Sequence, residues 1–409
     1  MLTYTYTARE SSTGKKIKAE LQAESEKAAA KLLKERGLQA LEITQEGGKK
    51  SPLDKILKRI PTKEKVIFSR QLSTLINAGL PIVQSLQNVS EQTSNKTFSS
   101  IINSIIQDVE AGSSFSVALS KYPKVFNNVY ISLVAAGETS GTLDVSLERL
   151  ANQQEKDADI ISKVRGAMIY PIIVMVVMMA VVIFMLTTVL PQVQVLYDGL
   201  PGAELPLLTK VLLSMSNALI NYWWIFIVIL VFFAFMFSRW ARTGPGKQVI
   251  DQLKMTMWPV GPLFVKLYMA RFSRTGATLV GSGVPLLQML GITAEAVNNV
   301  HIASSINKAA EKVKGGKSLS EGLMGEPHFP DLVPNMIRIG EQSGAMEAMM
   351  GKSADYYEKE VDNQIKAIST LVEPVLMIIM GIVAFLIVAA VLLPIYGLVG
   401  HVGVSGVGR

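Results

Sequence analysis

The sequence predicts an all-α membrane protein with two homologous helical-bundle domains, three transmembrane helices and a small N-terminal α+β unit. An internal repeat is the first observation behind this prediction: residues 68–95 and 272–299 align at an offset of 204, with 11 of 28 positions identical. The second observation is that three long uncharged segments occur, two of which follow a repeat directly. Self-similarity at a fixed period indicates a duplicated structural unit. Each copy is therefore expected to fold as one bundle ahead of a membrane helix.

The three uncharged segments cover residues 166–190, 211–238 (with its core at 218–237) and 374–396. Each reaches the roughly 20 residues that an α-helix needs to cross about 30 Å of hydrocarbon. Buried core helices are the alternative interpretation, which uncharged runs of this length disfavour. Inside a bilayer these segments have to be helical, because the lipid offers no hydrogen bonds to the backbone.

Basic residues predict the orientation of the chain in the membrane. They flank the uncharged segments on the side of the repeats, at Lys156, Lys163, Arg165, Arg239, Arg242, Lys247, Lys359 and Lys366. The positive-inside rule then places both repeats in the cytoplasm, and residues 191–217 and 397–409 outside. The net charge of +7 fits basic side chains that face anionic lipid. No aromatic-studded basic motif occurs, so we expect the lipid bilayer and no nucleic acid as partner.

The N-terminal 46 residues have the pattern of a small α+β unit. Strands are predicted at 3–7, 17–23 and 38–44, with a helix from Ser25 to Arg36 that Gly37 ends. Residues 47–62 form a basic linker with apolar positions at helical spacing. This linker either lies on the membrane surface or packs on the next domain.

Each repeat is predicted to be entirely helical. In the first, helices are expected at 63–77, 81–93, 97–110, 114–120, 127–137 and 142–165, the last continuing into the first membrane segment. Gly79 lies just past a helix end and Pro81 suits a first helical turn. The same assignment applies to 266–366. The predicted domains are 1–46 (α+β), 47–62 (linker), 63–165 (bundle 1), 166–190 (first span), 191–217 (external loop), 218–238 (second span), 239–265 (connector), 266–373 (bundle 2), 374–396 (third span) and 397–409 (external Gly-rich tail).

No catalytic constellation is found in the sequence. The three histidines are far apart along the chain, and the chain has no cysteine. Gly315-Gly316-Lys317-Ser318 lacks the first glycine and the preceding strand of a phosphate-binding loop. We therefore expect no enzymatic activity, no cofactor and no metal site. A polar pair at helical spacing, Glu148 and Asn152, is expected to belong to a solvated face.

The most specific motif occurs once in each repeat. Gly137-Glu138-Thr139-Ser140-Gly141 pairs with Gly340-Glu341-Gln342-Ser343-Gly344 at an offset of 203. Glycines allow close backbone approach or a positive φ. A glutamate placed just before a helix stabilises the N-terminal dipole of that helix. The motif is interpreted as a turn that fixes two helices, with contact to a partner protein as the alternative.

Several of these residues resemble a known family. Phe68-x-Arg70-Gln71-Leu72-x-x-Leu75-x-x-Ala78-Gly79-x-Pro81, Ala136-Gly137-Glu138-x-Ser140-Gly141, Leu393-Pro394 and the N-terminal Tyr6-x-Ala8 and Gly14-Lys15 are similar to the inner-membrane platform proteins of type IV pili and type II secretion (PilC/GspF). The resemblance covers residues 1–396. The second repeat departs from it with Thr275-Gly276 in place of Gln71-Leu72, so its first helix is expected to pack differently.

The resemblance implies a multi-pass protein of the bacterial inner membrane that couples a cytoplasmic hexameric assembly ATPase to pilin insertion and extraction. Its implied partners are that ATPase, pilin or pseudopilin subunits, other inner-membrane assembly proteins and further copies of itself. Glu138 and Glu341, if exposed, would be candidate motor contacts. Some secretion members carry a calcium site, which by motif would fall on Ser94, Glu148 and Asn152, but only one of these is a carboxylate.

The alternatives left open are a type II secretion F protein that builds a pseudopilus, a repeat-containing transporter and a membrane-bound enzyme. Spans without interior charge disfavour a transporter. The candidate partner or structural residues are Phe68, Arg70, Gly79, Pro81, Gly137, Glu138, Gly141, Phe272, Arg274, Gly283, Pro285, Gly340, Glu341 and Gly344.

Overall fold

The computed structural model describes residues 2–10, 16–23, 32, 38–45, 60–198 and 206–405. Contacts divide the chain into two units, residues 1–60 and 61–409. Most of the predicted linker and the predicted helix from Ser25 to Arg36, apart from Leu32, lie outside the described residues.

The N-terminal unit contains a three-stranded antiparallel sheet with strand order β2-β1-β3. Its strands are β1 (Leu2–Glu10), β2 (Lys16–Ala23) and β3 (Leu38–Gln45). They contain the three segments that the alternation of β-branched and polar residues predicts. The pairing of β1 with β3 shifts register between Thr7 and Ala8.

The second unit is helical. The helices of bundle 1 are α1 (Thr62–Asn77), α2 (Ile82–Gln92), α3 (Lys96–Glu110), α4 (Phe115–Ser120), α5 (Asn128–Ser140) and α6 (Leu143–Phe184). A π-helical turn (Met185–Val189), α7 (Leu190–Asp198), α8 (Leu207–Trp240) and α9 (Gly244–Thr256) lead to bundle 2. Its helices are α10 (Gly261–Gly281), α11 (Leu286–Val297), α12 (Val300–Lys314), α13 (Leu319–Leu323), α14 (Leu332–Ser343) and α15 (Met346–Ser405).

The same aromatic contact lies at the centre of both bundles. In bundle 1 the fully buried ring of Phe68 lies 5.9 Å from Phe126, measured between ring centroids. In bundle 2 Phe272 lies 5.2 Å from Phe329. Phe68 and Phe272 are the first residues of the aligned block, and the helices follow in the same order in both halves. The sequence repeat is therefore a repeat of three-dimensional structure.

The departure at Thr275 and Gly276 has a packing explanation. A Cβ on Gly276 would collide with the side chain of Met350, which fills the space that a side chain at this position would need. Thr275 is buried and turned toward the other bundle, where it accepts a hydrogen bond from Gln153. The first helix of bundle 2 thus packs differently, as expected from its sequence.

Among the residues that the structure describes, three helical segments are long and apolar enough to cross a membrane: 143–195, 207–240 and 346–396. The first and third are continuous with the last helix of each bundle, since α6 runs from Leu143 to Phe184 and α15 from Met346 to Ser405. Near their far ends the spans meet in a small apolar cluster of Leu190, Leu213 and Ala390.

Helices extend into regions where the sequence suggested loops. The predicted loop at 191–217 contains α7 and the start of α8, because apolar residues there pack against the other spans. The helix α15 continues to Ser405 rather than ending at the predicted tail. The connector contains α9, which lies between the second span and bundle 2.

Candidate functional site

An arginine that recurs in the two repeats ties the first helix of its bundle to the long helix that enters the membrane. Arg70 donates from Nε and Nη2 to the two carboxylate oxygens of Glu155, over 2.6 and 2.5 Å, and from Nη2 to Asn152 Oδ1 over 2.6 Å. These bonds lower the pKa of Glu155, because they favour the charged carboxylate.

The second repeat builds the same contact. Arg274 donates from Nε to Glu358 Oε1 over 2.7 Å and from Nη2 to Asp355 Oδ1 over 2.5 Å. Glu358 and Asp355 occupy the positions that correspond to Glu155 and Asn152 at the offset of 203. Arg70 holds Glu155 with two parallel bonds, which are stronger and more directional than a single ion pair, whereas Arg274 divides its bonds between Glu358 and Asp355. In both repeats the arginine fastens the bundle to its own membrane helix.

Glu138 and Glu341 each cap a helix, but not the helix that follows the motif. Glu138 lies near the end of α5, and its carboxylate accepts from the backbone N–H groups of Phe115 and Ser116 and from Ser116 Oγ, at 2.5, 3.0 and 2.5 Å. This is the N-terminus of α4. Glu341 makes the corresponding three contacts at 2.6, 3.3 and 2.5 Å with Leu319 and Ser320 at the start of α13. The expectation that each glutamate stabilises the helix following the motif was wrong, because the carboxylates bind the N-termini of α4 and α13 instead.

Both glutamates are half-buried and fully engaged. A side chain that satisfies the first N–H groups of a buried helix is part of the fold. Reversing the charge at Glu138 or Glu341 would place a cation at a helix N-terminus, where the macrodipole is unfavourable to it. Their proposed contact with a motor depended on exposure, and these internal contacts make the two residues poor candidates for it.

The glycines of the motif have two different roles. Gly137 and Gly340 lie inside helices, where a Cβ on Gly137 would lie 2.8 Å from Ser146 Cβ and one on Gly340 would lie 2.9 Å from Met346 Cα. They allow close approach of the next helix and do not require a positive φ. Gly141 and Gly344 end their helices at φ values of 71° and 68°, a conformation that favours glycine.

The turn before the second helix also recurs in both bundles. Gly79 and Gly283 have φ values of 84° and 79°, and Pro81 and Pro285 immediately precede α2 and α11. Proline has no N–H to lose at a helix start, and its fixed φ suits the entry to a helix.

The two bundles meet along α6 and α15. Arg149 Nη2 pairs with Glu347 at 2.8 Å, and Lys163 pairs with Asp362 at 2.8 Å. Around the Lys163–Asp362 pair, an apolar cluster packs in the interface and consists of Ile160, Leu263, Val361 and Ile365. The interface is thus polar at the end of Arg149 and Glu347, and combines apolar and charged contacts at the end from which the membrane helices emerge.

A cleft of about 1160 Å³ opens beside the polar end of this interface. The Arg149–Glu347 pair lies over Gly281, where any Cβ would collide with both side chains. Nη1 of Arg149 is buried and has no hydrogen-bond partner among the described residues. The repeat partner of Gly281 is Asn77, so this arrangement belongs to the interface and not to each bundle separately.

The described residues contain no group of three or more His, Cys, Asp or Glu side chains that could hold a metal ion. At the positions suggested by the resemblance, Asn152 Oδ1 already accepts from Arg70, so its oxygen is engaged by a guanidinium.

Separation along the chain suggested that the histidines are distant from one another, which is wrong for two of them. The rings of His301 and His328 lie 5.9 Å apart, and burial together with His301 lowers the pKa of His328.

Sequence reasoning missed the residues that join the bundles. Arg149, Gln153 and Glu347 belong to no motif, and no local pattern links residues about 200 positions apart. Glu155 and Glu358 could have been found, because the offset of 203 relates them. Extending the repeat alignment into the long helices would have identified them as the partners of Arg70 and Arg274.

Comparison with known proteins gives one consistent result. The family described as type II secretion system (T2SS), protein F matches residues 68–191 and 272–394, and the N-terminal domain of the same family matches residues 1–44. A type IV pilus assembly protein PilC of Thermus thermophilus is 40% identical over 99% of this chain and 100% of its own length. A PilC of Myxococcus xanthus is 35% identical over 95% and 94%. A type II secretion system protein F of Pseudomonas aeruginosa is 33% identical over 98% and 100%.

Proposed function

Because this chain belongs to the type II secretion system protein F family, we propose that it is an inner-membrane platform protein of type IV pilus assembly. In this role it couples a cytoplasmic assembly ATPase to the insertion and extraction of pilin subunits. The pilus role is favoured over secretion because relatives named for pilus assembly reach 40% and 35% identity, against 33% for secretion relatives. A type II secretion F protein that builds a pseudopilus is the second candidate, supported by those secretion relatives.

The observation that carries the proposal is the continuity of bundle and span. In both halves the last bundle helix is itself the membrane helix, without a break at the boundary. Both helices remain continuous although Pro171 and Pro374 each remove one backbone hydrogen bond near the boundary. A displacement of a bundle is then transmitted along one continuous helical rod into the bilayer, where the hydrophobic helix of a pilin would dock. The arginine and glutamate pairs fasten each bundle to its rod.

The membrane orientation is part of the proposal. Basic residues flank the spans on the side of the bundles, which supports a cytoplasmic location for both bundles and for the N-terminus. The sequence carries no nucleotide-binding motif, so the energy for moving a pilin comes from a partner ATPase, and the protein has no catalytic activity of its own.

The motor interaction is tested with the full-length protein in lipid nanodiscs and the cognate assembly ATPase, with empty nanodiscs as the control. We expect no ATP hydrolysis by the protein alone, direct binding of the ATPase, and a change in ATPase turnover that empty nanodiscs do not produce. Hydrolysis by the purified chain, or normal filaments in cells that lack it, would overturn the platform assignment.

The pilin interaction is tested by site-specific photo-crosslinking from the spans. The probe replaces Val176 on the first span or Phe385 on the third, which are 62% and 71% exposed in the described structure. Phe233 on the second span, 64% exposed, is the matched control. We expect crosslinks to pilin from the first two positions. Crosslinks to pilin from Phe233, with none from Val176 or Phe385, would contradict the proposed contact of pilin with the first and third spans.

A further inference from the structure

A short amphipathic helix, α9, is separated from the end of the second span by three residues. The span ends at Trp240 and α9 begins at Gly244, with Thr243 capping its first turn through Oγ1. Apolar side chains follow one another at helical spacing on its exposed face, at Val249, Leu253 and Met257, and are each about half exposed. Trp258 follows directly and is 77% exposed.

The opposite face of α9 is docked on bundle 2. Asp251 is 1% exposed and accepts the backbone N–H of Val300 at 3.1 Å, at the N-terminus of α12. His301 Nε2 lies 3.1 Å from the carbonyl oxygen of Gln248, and Met255 on the same helix is buried. These contacts fix the rotation of α9 about its axis. The apolar stripe is therefore held facing away from the protein.

Four basic residues lie near the stripe along the chain. Arg239 lies in the last turn of α8, and Arg242 lies between α8 and α9. Lys247 and Lys254 lie on α9, where Lys247 donates to Asn298 and Lys254 pairs with Asp251. A contiguous exposed apolar patch marks an interaction site on a protein surface, and this stripe directly follows a helix that is long and apolar enough to cross the bilayer. A basic amphipathic helix with an exposed tryptophan has the chemistry of the membrane interface, where the ring lies at headgroup level and basic side chains meet anionic lipid.

We propose that α9 and Trp258 form an interfacial anchor that lies in the leaflet on the bundle side of the membrane and contacts anionic phospholipid. The second span, α9 and bundle 2 are then held together at the lipid surface through Asp251. Bundle 2 is thereby fixed to the membrane at α9 as well as through α15. This lipid contact does not depend on the proposed interactions with the motor and the pilin.

The test places the full-length protein in nanodiscs that contain brominated lipid, with Trp258 as the single tryptophan after Trp223→Phe, Trp224→Phe and Trp240→Phe. Bromine quenches only tryptophans within the lipid. We expect Trp258 emission to be lost more strongly with bromine near the glycerol end of the acyl chain than with bromine near the methyl end. The control is a protein in which all four tryptophans are Phe and Val117→Trp supplies the fluorophore.

Val117 is a suitable control because it is an exposed apolar residue, 53% exposed, on α4 of bundle 1. It should not be quenched by brominated lipid. Emission from Trp258 that brominated lipid does not quench would overturn the proposal. Emission at the wavelength of a water-exposed ring would show that Trp258 lies in water, and blue-shifted emission would show that the N-terminal unit or a second copy covers it. Quenching that does not change when anionic lipid is left out would contradict the role given to the basic residues.

Discussion

Removing the carboxylate of Glu138 is predicted to loosen α4 without affecting bundle 2. Glu138 accepts two backbone N–H groups and one hydroxyl at the start of this helix. Glu138→Gln keeps an oxygen for some of these donors but removes the charge, at a cost of about 2 kcal/mol. Glu138→Ala leaves the donors of a buried turn unsatisfied, at a cost of about 3 kcal/mol.

The assay uses the absence of cysteine from this chain. A single cysteine at Ala118, which is fully buried on α4, reacts with a thiol reagent only when the helix opens. Its labelling rate then reports the opening equilibrium. At 1.4 kcal/mol for each factor of ten, Glu138→Gln should accelerate labelling about 30-fold and Glu138→Ala over about 100-fold.

Glu341→Gln is the matched control, because it removes the same contact from α13 of bundle 2. It should leave the labelling rate at Ala118→Cys unchanged. Unchanged labelling in the Glu138 variants would show that the carboxylate does not hold α4, and Glu138 would again be a candidate for partner contact.

Three further predictions concern packing, pH and topology. Gly137→Ala should destabilise bundle 1 by about 1–3 kcal/mol by overpacking. Adding Ser146→Gly should recover part of the resulting decrease in the unfolding midpoint. No recovery in the double variant would contradict the close contact between these two positions. Arg70 lowers the pKa of Glu155, so this pair stabilises the fold above the pKa of the unfolded carboxyl and loses its effect as pH falls through the pKa of the folded protein. Glu155→Gln should therefore lower the thermal unfolding midpoint at neutral pH and make no difference in acid. A decrease in the midpoint that is independent of pH would refute the assignment. A reporter fused at Gly199 should show an external location, and a cytoplasmic signal there would overturn the three-span topology.

The periodicity of apolar residues was sufficient to predict most of the helices. The segment predicted at 97–110 is α3 at Lys96–Glu110, and that at 114–120 is α4 at Phe115–Ser120. These helices are set by local spacing and by side-chain caps such as Asn95 and Ser114, which are visible in sequence. The length of uncharged runs likewise predicted three helices that can span a membrane.

Contacts between distant parts of the chain were not predictable in this way. The sequence indicated that Glu138 caps a helix but could not identify α4, because the chain folds back before the two meet. The Arg149–Glu347 pair and the buried Asp251 depend on how bundles and connector pack together, which no local pattern encodes. The helical extensions at 191–198 and 397–405 were missed because Pro and Gly residues there suggested loops.

In the proposed mechanism each bundle moves its membrane helix because the two form one continuous helical rod. Inserting Gly-Ser-Gly-Ser between Arg165 and Gly166 would break that rod in α6. Inserting four alanines at the same point would lengthen it by about 6 Å and rotate it by about 40° but keep it helical. Surface filaments are counted in cells that carry either variant at equal membrane abundance. The account predicts that filaments are lost with the flexible insertion and retained, at least in part, with the helical one. Equal numbers of filaments from the two variants would contradict it.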